Sequence, residues 1–372
     1  MKAPLRFIAF VALAVAALCA SSAFALFEGA DEEAMGKETD KEISRAYGIY
    51  DDPKVSKYVE EVGKRVLSKI QEPQFEYHFK TVDHEMVNAF ALPGGYIYVT
   101  RGLLATLNSE AALAGVLGHE IGHVIGHHSV RQMKKQLGAT LLTLAGLAAS
   151  EDIRQNAGAW LTVSSSLSQQ ILLGYGREFE MESDQVGMVA AYDAGYDPNG
   201  IVTFLKSLRS AEMLGGISYH GFSATHPDTV TRIIEAEGKS DLLAARNNPV
   251  TDQREKYLDA IEGLRYGKST WRGKTIPPYV IHIHTVKEGE TLHSIVKEVT
   301  GDESLTLETA VLNALDTEAP LKPGFRLKTL KPVKSQTGNL LKNEESENEI
   351  GGGTGDGKSG QTGGKRKRPF NR

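Results

Sequence analysis

Gly118-His119-Glu120-Ile121-Gly122-His123-Val124 decides how this chain is read. It is an HExxH motif inside an apolar segment with helical character. Ser109 reads as the N-cap, Glu110 falls in the first turn, and the helix is expected to run through Ala111–Gly126. Histidines four residues apart stand one above the other on a single helical face, so His119 and His123 can reach one metal ion. Glu120 projects beside that face, close enough to take a proton from a water at the metal. The pattern points to zinc peptidase chemistry.

Two histidines do not complete such a site, because a catalytic zinc takes three protein ligands and keeps one position open. The stretch Arg177-Glu178-Phe179-Glu180-Met181-Glu182-Ser183-Asp184 offers the third. Glu180 and Asp184 share a helical face, so Glu180 can ligate while Asp184 accepts the free ring N–H of a ligating histidine. Glu182 points about 200° away around the helix from Glu180 and cannot reach the same ion. A rival pattern, HExxHxxGxxH, finds its glycine in Gly126 but needs histidine at position 129, which is Ser129. That reading is rejected; His127 reads as exposed or partly packed, and His128 as a brace at the helix end.

The surrounding chain reads as α+β, mainly helical. Val55, Tyr58, Val59, Val62, Val66, Leu67 and Ile70 recur at helical spacing, giving an amphipathic helix over 55–70. Phe75, Tyr77 and Phe79 alternate as a strand does, Leu92-Pro93-Gly94-Gly95 makes a turn, and Tyr96–Thr100 reads as a second strand. Together they predict a small antiparallel sheet ahead of the motif helix. A short apolar segment over 137–149 is expected to pack in the core. Further helices are expected over 171–194, 199–213, 229–237 and 253–264.

At the N-terminus, Lys2 and Arg6 precede the apolar run Phe7–Leu18 and then Ala23-Phe24-Ala25. This charged, apolar and small-residue order predicts a removed signal peptide over 1–25, and the run is short for a membrane span. Cys19, the only cysteine, lies within it, so the mature chain would rely on packing and metal rather than disulfides. Losing Lys2 and Arg6 leaves 40 basic residues against 47 acidic, which gives no sign of nucleic-acid binding. Composition shifts over 271–279, expected to be a linker between a domain at 26–270 and a small module at 280–332. Residues 333–372, rich in glycine and ending in Lys365-Arg366-Lys367-Arg368, read as a disordered basic tail.

These residues resemble a known family. His119–Ser129, the pair Glu180 and Asp184, Asn88-Ala89-Phe90-Ala91-Leu92-Pro93-Gly94-Gly95 and Thr225-His226-Pro227 look like metallopeptidase family forty-eight, the gluzincins that include HtpX, Oma and BepA-type proteases. The resemblance implies one zinc per subunit on His119, His123 and Glu180, with Glu120 as general base and acid and Asp184 behind a ligating histidine. It also implies that Asn88, Ala89, Phe90 and Ala91 border a cleft where an extended substrate pairs with a strand edge. In BepA-like members the histidine matching His226 can approach the zinc as a fourth ligand and hold the enzyme silent, so His226 is the expected gate. No tetratricopeptide repeats follow the catalytic region, a departure from BepA.

The C-terminal stretch His284-Thr285-Val286-Lys287-Glu288-Gly289-Glu290-Thr291-Leu292-His293-Ser294-Ile295 resembles the opening of a LysM module, with Asn313-Ala314-Leu315 and Leu321–Leu327 as its middle and close. Such modules have a βααβ fold that binds N-acetylglucosamine-containing glycans. The expected protein is therefore an exported, periplasmic zinc endopeptidase acting on unfolded or misassembled envelope proteins. Peptidoglycan would be a partner through the module, membrane contact would be peripheral, and nucleic acid is not expected. The competing reading is a zinc-bound chaperone or peptidoglycan-associated scaffold with little or no proteolysis.

Overall fold

The protein is described from a computed structural model covering residues 31–136, 175–213 and 220–333, apart from 228, 268, 272, 273 and 277. Asp31 caps the first helix, α1 (Glu32–Tyr47), its carboxylate accepting from the Ala34 N–H at 3.0 Å. Asp52 does the same for α2 (Pro53–Leu67), where Pro53 sits in the first turn and lacks only an N–H that would go unpaired there. Val55, Tyr58, Val59, Val62 and Val66 of α2 are buried, the stripe expected from their spacing.

The first sheet corrects the expected one. It contains β1 (His78–Val82), β2 (Ala89–Leu92) and β3 (Tyr96–Thr100) in the order β1-β3-β2. β2 and β3 pair antiparallel, but β1 lies parallel to β3, from His78 opposite Tyr96 to Val82 opposite Thr100. The hairpin partner of β3 is the continuous apolar run Ala89–Leu92, which has no alternation to mark it as a strand. It takes one edge of β3, leaving only the other to β1. β1 also starts three residues later than the alternation from Phe75 predicts. Between β2 and β3, Gly94 adopts φ 72° in the tight turn, and a Cβ there would come 2.6 Å from the Glu32 carbonyl of α1.

After α3 (Arg101–Thr106) comes the motif helix α4 (Glu110–Ile125), capped by the Ser109 hydroxyl, which accepts from the Ala112 N–H at 3.1 Å. Every residue from Glu110 to Val124 is buried, so α4 is enclosed on all sides. Residues 128–136 are again helical. α4 then packs along α5 (Arg177–Asp193) at backbone contact. A Cβ on Gly118 would lie 2.7 Å from the Gly187 carbonyl oxygen, and one on Gly122 2.7 Å from the Ser183 Cα. This approach, which only glycine permits, brings the carboxylates of α5 to the histidines of α4. α5 begins at Arg177, six residues later than predicted; the first four of those six lie outside the described residues.

α6 (Asn199–Met213), α7 (His220–Thr225), α8 (Thr229–Ala244) and α9 (Arg254–Ile261) follow. α8 runs seven residues further than its predicted end at 237. Over 265–276 come β4 (Arg265–Tyr266) and a hairpin of β5 (Ser269–Trp271) with β6 (Lys274–Ile276), where a linker was expected from 271. The following segment is β7 (Tyr279–Thr285), α10 (Leu292–Thr300), α11 (Thr306–Leu312) and β8 (Arg326–Pro332), with β7 and β8 antiparallel around Val286, Leu292, Ile295, Val296, Ala310 and Leu327. Lys328 of β8 is buried and donates to the carbonyls of Ala105 at 2.7 Å and Leu107 at 2.8 Å, at the C-terminal end of α3. The described residues up to Pro332 belong to one compact unit; a second, Val333–Arg372, falls almost wholly outside the described residues. The segments expected as signal peptide, as the apolar run 137–149 and as the basic tail also lie outside them. Among the described residues no helix is long and apolar enough to cross a membrane.

Candidate metal centre

Four buried donors meet where α4, α5 and the turn after α7 converge: His119, His123, Glu180 and His226, with ligand atoms all within 4.8 Å of one another. His119 Nε2 lies 2.9 Å from His123 Nε2, 3.2 Å from His226 Nδ1 and 3.5 Å from Glu180 Oε2. Glu180 Oε1 is 3.4 Å from His123 Nε2 and 3.2 Å from His226 Nδ1. Donors arranged tetrahedrally at about 2.1 Å from a zinc ion stand about 3.4 Å apart, so these spacings fit one.

Charge balance gives the same answer. Among the described residues, Glu120, Glu180 and Asp184 are buried beside one buried guanidinium, Arg232. With the histidines neutral, three carboxylates against one cation leave two negative charges, which one divalent ion cancels; buried charge left unpaired is costly. Burial and Arg232 alone would lower the His119 pKa, yet Asp184 and Glu180 push it up to about 9.

Asp184 Oδ1 lies 2.7 Å from His119 Nδ1, a position that turns the His119 Nε2 lone pair toward the other donors. Arg232, on α8, donates to Asp184 through Nε and Nη2, both at 2.8 Å, and Nη1 sits 2.7 Å from Glu180 Oε2. Burial would raise the Asp184 pKa, but Arg232 and His119 hold it below the usual carboxylate range. Sequence reasoning missed Arg232: one arginine in a predicted helix looks like any solvated charge. It also missed Tyr175, whose ring stacks on His123 at 4.0 Å between centroids and whose hydroxyl meets Ser129 Oγ at 2.9 Å.

Glu120 is fully buried, and neither carboxylate oxygen has a hydrogen-bond partner among the described residues. Burial pushes its pKa up, against the pull of His226 and His119. Its nearest basic neighbour is His226 Nε2, 3.5 Å from Oε1. The same His226 nitrogen is 3.2 Å from the Ala89 carbonyl oxygen, in place to donate to it. The Asn88 carbonyl accepts from the Thr100 N–H of β3, so in the alternation of a strand the carbonyls of Ala89 and Ala91 face the outer edge of β2. Ser129 Oγ donates to Ala91 O at 3.4 Å. The Asn88 side chain accepts from Thr225 Oγ1 at 3.0 Å, tying β2 to the residue before His226. Phe90 points the other way, stacked on Tyr98 beneath α1. Of the residues expected at the cleft, Ala89 and Ala91 turn their carbonyls to the outer edge of β2, where His226 and Ser129 meet them, whereas the Asn88 and Phe90 side chains pack on Thr225 and Tyr98.

Comparison with known proteins matches residues 53–240 to the family described as Peptidase family M48. Among similar proteins, the beta-barrel assembly-enhancing protease of Escherichia coli (strain K12) is 26% identical over 224 residues, covering 57% of this chain and 44% of that protein. The mitochondrial metalloendopeptidase OMA1 of Schizosaccharomyces pombe is 29% identical over 209 residues, covering 55% of this chain and 60% of that one. OMA1 of Arabidopsis thaliana is 30% identical over 209 residues, covering 56% and 39%. The chain spans less than half the length of the beta-barrel assembly-enhancing proteases it matches.

Proposed function

The chain belongs to peptidase family M48, and on that premise we propose that it is a zinc-dependent endopeptidase hydrolysing peptide bonds of unfolded or misassembled envelope proteins. The observation that carries the reading is the buried group His119, His123, Glu180 and His226 beside a Glu120 that has no hydrogen-bond partner among the described residues. Zinc in such a site supplies Lewis acidity, activating water near neutral pH and polarising the scissile carbonyl. Glu120 takes the proton from the attacking water and delivers it to the leaving amine, a task suited to a carboxyl whose pKa burial has raised. Asp184, clamped by Arg232, fixes the ring of His119. The outer edge of β2 offers the Ala89 and Ala91 carbonyls to an extended substrate, which suits chains that have lost their fold.

His226 is the gate in this reading. Its Nδ1 stands among the metal donors while its Nε2 faces Ala89 O, so one ring closes both the fourth metal position and part of the substrate edge. That occupancy is also what favours the second reading, a zinc-bound chaperone or peptidoglycan-associated scaffold that seldom cleaves. Export by residues 1–25, a periplasmic location and glycan binding by the βααβ segment 280–332 belong to the proposal as well. The names of the relatives, a beta-barrel assembly-enhancing protease among them, support the substrate class.

The test is zinc content together with cleavage of casein by wild type, Glu120→Gln, Glu180→Ala and His226→Ala, each with and without chelator. One zinc per chain is expected in wild type and in Glu120→Gln, with turnover lost in the latter and raised in His226→Ala. Full activity in Glu120→Gln would remove the assigned base. Inactivity of both wild type and His226→Ala at full zinc occupancy would leave the scaffold reading.

A further inference from the structure

We propose that His128 is the residue that orients His123 toward the metal, handing the hydrogen bond from its ring on to Glu182. The inference rests on the zinc reading above and goes beyond it by assigning the support of the second histidine. The two histidines of α4 are held differently. His119 meets a carboxylate directly, through Nδ1 and Asp184. Among the described residues no carboxylate stands behind His123; its Nδ1 lies 2.9 Å from Nδ1 of His128.

The proton positions follow from the chemistry. For His123 Nε2 to present a lone pair to a metal, its Nδ1 must carry the hydrogen and donate it. His128 Nδ1 is then an acceptor, so the His128 hydrogen resides on Nε2. That nitrogen lies 3.2 Å from Glu182 Oε2, and Arg131 Nη1 holds the same carboxylate oxygen at 3.1 Å. Ser183 Oγ stands 3.2 Å from His128 Nδ1 and adds a second polar neighbour. The chain His123 to His128 to Glu182 therefore ends on a carboxylate, as His119 to Asp184 does, with one imidazole interposed.

The backbone is shaped to put that ring there. α4 stops at Ile125, His127 takes φ 51°, and the turn brings the His128 ring to that of His123, 5.0 Å between centroids. A Cβ on Gly126 would come 2.3 Å from His128 Nε2, so the ring rests on a position that only glycine leaves free. The Phe179 ring of α5 stacks on His128 at 4.5 Å between centroids and 12° between planes. The imidazole is thus fully buried, sandwiched, and met by a specific partner at each nitrogen. It lies behind His123 and outside the group of metal donors.

Partners of this kind change metal affinity by 10- to 100-fold when removed. The experiment uses the full chain and two variants. His128→Phe keeps the ring volume and the stack but offers no acceptor, whereas His128→Asn can place Oδ1 near the position of the lost Nδ1. Zinc affinity is read by competition with a chromogenic chelator, and the coordination by the visible spectrum of the cobalt-substituted protein. His128→Phe should bind zinc 10- to 100-fold more weakly with a shifted cobalt spectrum, and His128→Asn should stay within about threefold of wild type. Wild-type zinc affinity in His128→Phe, or an equal loss in both variants, would overturn the assignment. So would wild type failing to bind zinc, an outcome that removes the zinc reading as well. Should the variants not fold, imidazole nitrogen shifts of the zinc-loaded wild type decide. Hydrogen on His128 Nε2 supports the relay, and hydrogen on Nδ1 refutes it.

Discussion

Gly122→Ala should open the wedge between α4 and α5 and take the metal centre apart without touching a ligand. The added Cβ would sit 2.7 Å from the Ser183 Cα and 2.9 Å from its carbonyl oxygen, both main-chain atoms that cannot rotate aside. Carbon atoms rest at about 3.5 Å or more, so the helices must part by about 0.8 Å at this point. Gly122 adjoins His123, and Ser183 lies one turn from Glu180, so the parting falls on the 3.4 Å separation of His123 Nε2 from Glu180 Oε1. Metal–ligand distances tolerate only about 0.2 Å. Overpacking of this kind costs about 1–3 kcal/mol, a fall on the order of 5 °C in the unfolding midpoint of the metal-free protein. The assay is thermal unfolding with zinc titration, and the control is Gly238→Ala on α8, where a Cβ meets nothing within 4 Å among the described residues. There the better helix former should be neutral or stabilise by up to about 1 kcal/mol. Unchanged zinc affinity and midpoint in Gly122→Ala would refute the claim that backbone contact at this glycine sets the donor geometry.

Arg232→Met leaves Glu180 and Asp184 buried without their counter-charge and should destabilise the metal-free protein by about 3–5 kcal/mol, with bound zinc recovering part of it; denaturant titration with and without zinc checks this. Lys328→Met strips the donor from the carbonyls of Ala105 and Leu107 and should cost about 1–3 kcal/mol, read by the same titration. Glu110 is buried at the start of α4; burial would raise its pKa, but hydrogen bonds from Lys256, Tyr58 and Tyr196 lower it below its ordinary value. A depressed carboxylate stabilises fully above the unfolded value of about 4.3, and that contribution disappears as pH falls through the folded value. The stability gap between wild type and Glu110→Gln should therefore close on acidification below about pH 4.3, and a gap constant from pH 7 to 3 would contradict it.

Short-range order was the readable part. The N-cap Ser109, the burial stripe of α2 and the pairing of Glu180 with Asp184 on one helical face are relations within one or a few turns, and periodicity reports those directly. β2 escaped because Ala89–Leu92 is buried on both faces and so has no alternation. The parallel placement of β1 depends on which edge of β3 remained free, a fact that no local pattern contains.

The centre divides the same way. That two imidazoles could serve one ion follows from spacing along α4, since four residues carry the helix only about 40° past a full turn whatever surrounds it. Whether Glu180 arrives depends on Gly118 and Gly122 meeting Gly187 and Ser183 across a helix interface, and interfaces are set by shape between distant segments. Arg232, Tyr175 and the acceptor role of His128 belong to that second class. Each is a single polar residue without a repeating pattern, and its meaning comes only from what folding places within 3 or 4 Å of it.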